Sequence, residues 1–292
     1  MRPPFTEEIE IRTSDGVSLR ATAQEPILRA RGTVLLAHAE FASRQSFLRD
    51  GRGLASFLTG QGFRTLAFDF RGHGESASRS EVTYDAFIQH DLAAVAECAR
   101  ARWKGPLAVV GHALGGHVAL AARGIGVLDA DAIVAVATNV WLPRFEPSLL
   151  RWQAKRAAMA YVASMIEARG HFPARALGLG TDDESASVMA AAVRASREGT
   201  WTSDDGAIDY VRALSNVRIP VLAIASKADK LRCVPECAER MLERTAGIRD
   251  MQVIADDDRG GPAPGHMSLV TGRRSSHVWE AIAAWLLRGF RV

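Results

Sequence analysis

The segment Leu107-Ala108-Val109-Val110-Gly111-His112-Ala113-Leu114-Gly115-Gly116-His117 decides the fold. Its first four residues form a short, unbroken apolar run. Such runs suit a strand covered on both faces, as in a parallel sheet. Gly111 and Gly115 then flank a tight turn, and from Leu114 the spacing of apolar residues becomes helical. Two residues without side chains let the strand and the helix approach each other closely around that turn. The residue at the tip, Ala113, must hold an unfavourable backbone angle.

Working outward, similar apolar runs recur at Thr33–Ala37, Thr65–Phe68, Ala132–Ala137, Val221–Ala225 and Met251–Ala255. Helix-period segments lie between most of them: Phe47–Leu58, Tyr84–Trp103, Leu114–Arg123 and Pro235–Thr245, with a last amphipathic helix from about His277 to Leu287. Glu7–Thr13 and Val17–Ala23 alternate polar and apolar residues around Ser14-Asp15-Gly16, which predicts an antiparallel hairpin at a sheet edge. Strand–helix alternation of this kind predicts a doubly wound α/β sheet of eight mostly parallel strands with helices on both faces. The alternation breaks at residues 140–216. That stretch carries helical patterns at Leu149–Arg169 and Glu184–Glu198, no convincing strand, and many bulky apolar residues. It reads as a helical lid inserted between core segments 1–139 and 217–292. Trp141, Trp152, Met159, Tyr161 and Trp201 of this stretch, with Met267 from the core, are the candidate pocket walls.

Composition narrows the function classes. The chain has 292 residues, 48% of them hydrophobic, enough for a sizeable core. Net charge is only +3 and charges of both signs are interleaved. The most basic run is Arg273-Arg274, too short for a nucleic-acid footprint. No apolar stretch is long enough to span a bilayer, and Met1–Glu8 lacks the apolar centre of a signal peptide. Three cysteines make no disulfide framework; Cys233 and Cys237 read as neighbours on one helix, not as a zinc site. A cytoplasmic location is the expectation. Neither a metal-ligand cluster nor a phosphate-binding loop is legible, so no cofactor is expected.

Strand, glycine-flanked turn and helix build the G-x-S-x-G nucleophile elbow. Gly111–Gly116 resembles the elbow of α/β-hydrolases of the lysophospholipase-like and serine-aminopeptidase-like groups, with Ala113 where those proteins have serine. Phe68-Asp69-Phe70-Arg71-Gly72-His73-Gly74-Glu75-Ser76 is similar to the D-x-R-G-x-G-x-S turn of the same superfamily. Gly170-His171-Phe172-Pro173 and Gly265-His266-Met267 resemble a bacterial subgroup of predicted α/β-hydrolases. The resemblance spans nearly the whole chain and implies the α/β-hydrolase fold.

It also implies partners for the elbow. In this fold the chain order is nucleophile, acid, histidine. Asp229, in the loop after Val221–Ala225, matches the acid. His266, which ends the polar loop after Met251–Ala255, matches the general base. The oxyanion hole would use the N–H of Leu114 and one from the loop His38-Ala39-Glu40-Phe41, either Glu40 or Phe41, although Ala39 stands where the family often has glycine. His38, His73, His112, His117 and His277 read as structural. The implied activity is cleavage of a carboxylic ester or related acyl bond. Ala113 has no hydroxyl, so either a serine was replaced to inactivate the protein, or alanine is natural and the protein binds without hydrolysing. An acyltransferase or cyclase would use the same elbow. The expected partner is a mid-sized, partly apolar acyl compound, with a homodimer allowed and no nucleic acid.

Overall fold

The computed structural model describes residues 5–76, 81–256, 261–272 and 275–290. Arg273-Arg274, part of the loop before His266 (257–260) and the first four residues lie outside them. Among the described residues the strands are β1 (Phe5–Arg12), β2 (Ser18–Glu25), β3 (Thr33–Ala37), β4 (Arg64–Phe68), β5 (Leu107–His112), β6 (Ala132–Val136), β7 (His171–Phe172), β8 (Glu184–Ser185), β9 (Val221–Ser226) and β10 (Arg249–Ile254). Eight of them form one sheet in the order β1-β2-β4-β3-β5-β6-β9-β10. β2 pairs antiparallel with β1 and β4, and the remaining neighbours are parallel. This is the α/β-hydrolase architecture.

The unbroken apolar runs follow from burial of both sheet faces. Leu35 and Ala37 of β3 and Val109 of β5 join one core layer. Val34, Leu36, Ala108 and Val110 join the other. Helices Leu92–Arg102 and Leu114–Gly124 cover the first face; Leu54–Gly60 and Ser276–Gly289 cover the second. Strand order reverses at β3, whose neighbours are β4 and β5. A crevice opens at such a switch point, outside the carboxyl ends of the strands. The loops after β3 and β5 both emerge there.

Two expected helices are broken. Phe47–Leu58 becomes Gln45–Leu48 and Leu54–Gly60. Between them Arg49 and Asp50 take positive φ (43° and 52°), and a Cβ on Gly53 would meet the Phe47 carbonyl oxygen at 1.9 Å. The chain doubles back so tightly that Phe47 and Leu54 both reach the same core layer. Tyr84–Trp103 contains a widened turn, Phe87–Asp91, before its regular part. Asp91 ends that turn, buried, and accepts from Arg71 N (2.9 Å) and Nε (2.8 Å). The third departure concerns Cys233, which precedes the helix Pro235–Leu242 that carries Cys237.

Between β6 and β9 the chain leaves the sheet; its two long helices there are Leu149–Arg169 and Ala186–Glu198. The hydroxyls of Ser148 and Ser185 accept from Arg151 N and Val188 N and cap their starts. Gly170 and Gly199, both at φ 70°, end them. The short pair β7 and β8 joins them, where no strand was expected; two residues cannot display an alternating pattern. Val162, Phe172, Ala174, Met189 and Val193 give this insertion its own small core.

Candidate active site

The elbow forms as its glycines require. Ala113 sits between β5 and the helix Leu114–Gly124 at φ 46°, ψ −108°. A Cβ on Gly111 would come within 2.5 Å of Gly115 backbone, and one on Gly115 would lie 2.1 Å from the Ala37 carbonyl oxygen. Two hydrogen bonds lock the turn: Ala113 N to Val136 O (2.9 Å) and Gly115 N to His38 O (3.0 Å).

Asp229 and His266 meet beside it. His266 Nδ1 lies 2.6 Å from Asp229 Oδ2, although 37 residues separate them. Asp229 also accepts from Arg232 N (2.9 Å) and Cys233 N (3.0 Å), which fixes its orientation. Burial pushes the Asp229 carboxyl up, but the hydrogen bond and charge of His266 and those two N–H groups bring it below its ordinary value. His112 lies behind, its Nε2 3.2 Å from the His266 carbonyl oxygen and its ring 5.1 Å from the His266 ring. Burial and the nearby His266 hold the His112 imidazole well below its usual pKa, so it is neutral.

A cavity of about 310 Å³ opens over Ala113, with mostly apolar walls. That is within the range of small-molecule sites. Of the residues expected there, Ala113, Leu114, Glu40, Phe41, Trp141, Met159, Tyr161, Trp201, His266 and Met267 line it, and Asp229 stands behind His266. Trp152 is not on the wall. It lies on the insertion helix seven residues before Met159, about 10 Å along the axis. The other histidines divide. His38 accepts from Phe70 N (3.1 Å) and so joins the loops after β3 and β4. His73 pairs with Glu184 of the insertion at 3.1 Å. His277 is exposed on the last helix.

His117, expected to be structural only, borders the cavity. Its Nδ1 is 2.7 Å from the Tyr84 hydroxyl, and its Nε2 is 3.8 Å from Glu40 Oε1. Burial holds the His117 imidazole below its usual pKa against the pull of Glu40. Glu40, singled out for its backbone N–H, also brings its carboxylate to the site. Its side chain turns into the cavity, and Oε2 accepts the Leu114 N–H at 3.3 Å, the same donor assigned to an oxyanion. Tyr84, Asn139 and Arg232 also line the wall and were missed. One signal could have found His117: four residues after the elbow, a helical side chain points back over the preceding turn.

A family model described as serine aminopeptidase, S33, matches residues 29–256. The chain belongs to that family. No curated protein matches it. Among solved structures, the S33-family chain is similar to the Pyrococcus furiosus esterase Pf2001, with 19% identity, TM-score 0.63, and coverage of 98% of this chain and 93% of that one. It is similar to a Paleococcus ferrophilus monoacylglycerol lipase at 16% identity and TM-score 0.62, covering 93% and 99%. A thermophilic esterase from Thermogutta terrifontis gives 19%, 0.62, and 98% and 100%. At these identities the likeness is one of fold. Among the described residues of this S33-family chain, no helix is long and apolar enough to cross a membrane.

Proposed function

We propose that this chain is a serine-hydrolase site for a mid-sized, partly apolar acyl compound, and that in its present form it holds the ligand without forming an acyl-enzyme. The observation that carries the reading is the 2.6 Å contact between His266 Nδ1 and Asp229, with His266 on the wall of the cavity that Ala113 floors. With Nδ1 committed to Asp229, Nε2 is the nitrogen free to take a proton. A serine at position 113 would pass its proton to Nε2 and attack the acyl carbon. The imidazolium would return the proton to the leaving alcohol, thiol or amine, and water would release the acid. The acyl bond is that of an ester, lactone, thioester or amide. The esterases and the lipase among the structural relatives favour ester chemistry by analogy. The insertion acts as a lid, and Trp141, Met159, Tyr161, Trp201 and Met267 contact the ligand's apolar part. As it stands, alanine supplies no nucleophile.

The test installs the hydroxyl. Ala113→Ser, alone and with Glu40→Ala to release the Leu114 N–H, should hydrolyse p-nitrophenyl esters and react with a fluorophosphonate probe. The unmodified protein should do neither. If both serine variants stay inert and unlabelled while keeping their fold, the hydrolase reading is lost.

A further inference from the structure

An oxyanion hole works by offering unpaired N–H donors to developing negative charge. Here the first donor is engaged. The Leu114 N–H, at the start of the elbow helix, donates to Glu40 Oε2 at 3.3 Å, and the residue contributing that carboxylate lines the cavity. A buried polar pair lies behind Glu40. His117, 7% exposed, places Nε2 3.8 Å from Oε1, and the Tyr84 hydroxyl lies 2.7 Å from its Nδ1. The tautomer that fits has the Tyr84 O–H donating to Nδ1 and the Nε2–H facing the carboxylate. The hydrogen bond from Leu114 places the Glu40 carboxylate where an oxyanion would otherwise be received.

Asn139 stands on the same wall. Asn139, 7% exposed, donates through Nδ2 to the Arg232 carbonyl oxygen at 3.3 Å, which sets the direction of its amide. Its Oδ1 is buried and takes no hydrogen bond from any described residue. With less than 1 Å² of accessible surface that oxygen is out of a ligand's reach, so Glu40 is the acceptor a ligand meets. A ligand oxyanion or carboxylate at Leu114 would meet the negative charge of Glu40. A hydroxyl or amide N–H would meet an acceptor.

We infer that Glu40 is the selectivity residue of this cavity, and that its ligand is an apolar compound ending in a neutral hydrogen-bond donor, a primary amide or alcohol, in preference to a carboxylate. The inference rests on the reading of this cavity as the ligand site and names the ligand class. It does not depend on turnover.

The experiment measures binding of octanamide, octan-1-ol and octanoate to the full-length protein and to Glu40→Gln by isothermal titration calorimetry. Arg232 also borders the cavity and attracts carboxylates, so the comparison is made across variants in which it is unchanged. The unmodified protein should bind the amide and the alcohol at least tenfold more tightly than octanoate. Glu40→Gln, which keeps the side chain's size, should narrow that preference at least tenfold, chiefly by admitting octanoate. Equal binding of octanoate by the unmodified protein overturns the inference. So does an unchanged preference in Glu40→Gln with its melting temperature intact, or no binding of any of the three. Esterase activity of the serine variants is a separate readout, so loss of the hydrolase reading leaves this result interpretable.

Discussion

Ala113 holds a backbone geometry that costs an L-residue energy. The surrounding glycines tolerate no substitution. At Gly115 the obstacle is the Ala37 carbonyl, backbone that belongs to a central strand and cannot move aside. Gly115→Ala is expected to destabilise the protein by about 3 kcal/mol, read as a lowered urea midpoint with an unchanged slope. Ala113→Ser, by contrast, adds one oxygen facing a cavity and should melt close to the parent. These glycine requirements are local, so the elbow was legible in eleven residues. The Glu40 side chain was not. Its loop was located by position after β3, but its contact with Leu114 spans 74 residues and depends on β3 and β5 lying side by side.

The insertion is tied to the sheet by charge and hydrogen bonds as well as by apolar contact. Asp182 Oδ1 accepts from Gly74 N at 2.9 Å, and the Ser185 hydroxyl donates to Val82 O at 2.7 Å. Within the insertion, Lys155, fully buried, reaches Glu146 at 2.8 Å. Burial pushes the Glu146 carboxyl up, but its bonds to Arg151 and Lys155 bring it down to about 2. The His73–Glu184 pair joins the loop after β4 to β8. Burial opposes the charge on His73, yet Glu184 raises its pKa to about 9. A folded pKa above the unfolded value of about 6.5 means the stabilisation is complete below pH 6.5 and is lost as pH rises through 9. That loss is on the order of 3 kcal/mol. His73→Asn should lack it, so the stability difference between parent and variant, from urea titrations at pH 6 and pH 10, should shrink by that amount. The sequence marked the turn containing His73 and the helix pattern near Glu184 separately. Nothing in it paired them, because a contact across 111 residues leaves no periodic trace.

At the scale of the molecule, the cavity lies where the switch point of the sheet meets the underside of the insertion. Neither half encloses it alone: Ala113 and His266 come from the core, Val188 and Ala191 from the insertion. Ala191→Phe should fill this space and weaken binding of the neutral dye Nile red by about tenfold or more, with the far-UV circular dichroism unchanged. The sequence by itself determined the doubly wound sheet and the elbow, because burial on two faces and a close glycine approach are encoded locally; Asp229 and His266 were singled out by the resemblance to the family, through chain order. Tertiary structure alone decided that Trp152 stops short of the cavity, that His117 and Tyr84 border it, and that Glu40 accepts the N–H beside Ala113. Those outcomes depend on distances between elements remote in the chain, which packing sets and no local pattern records.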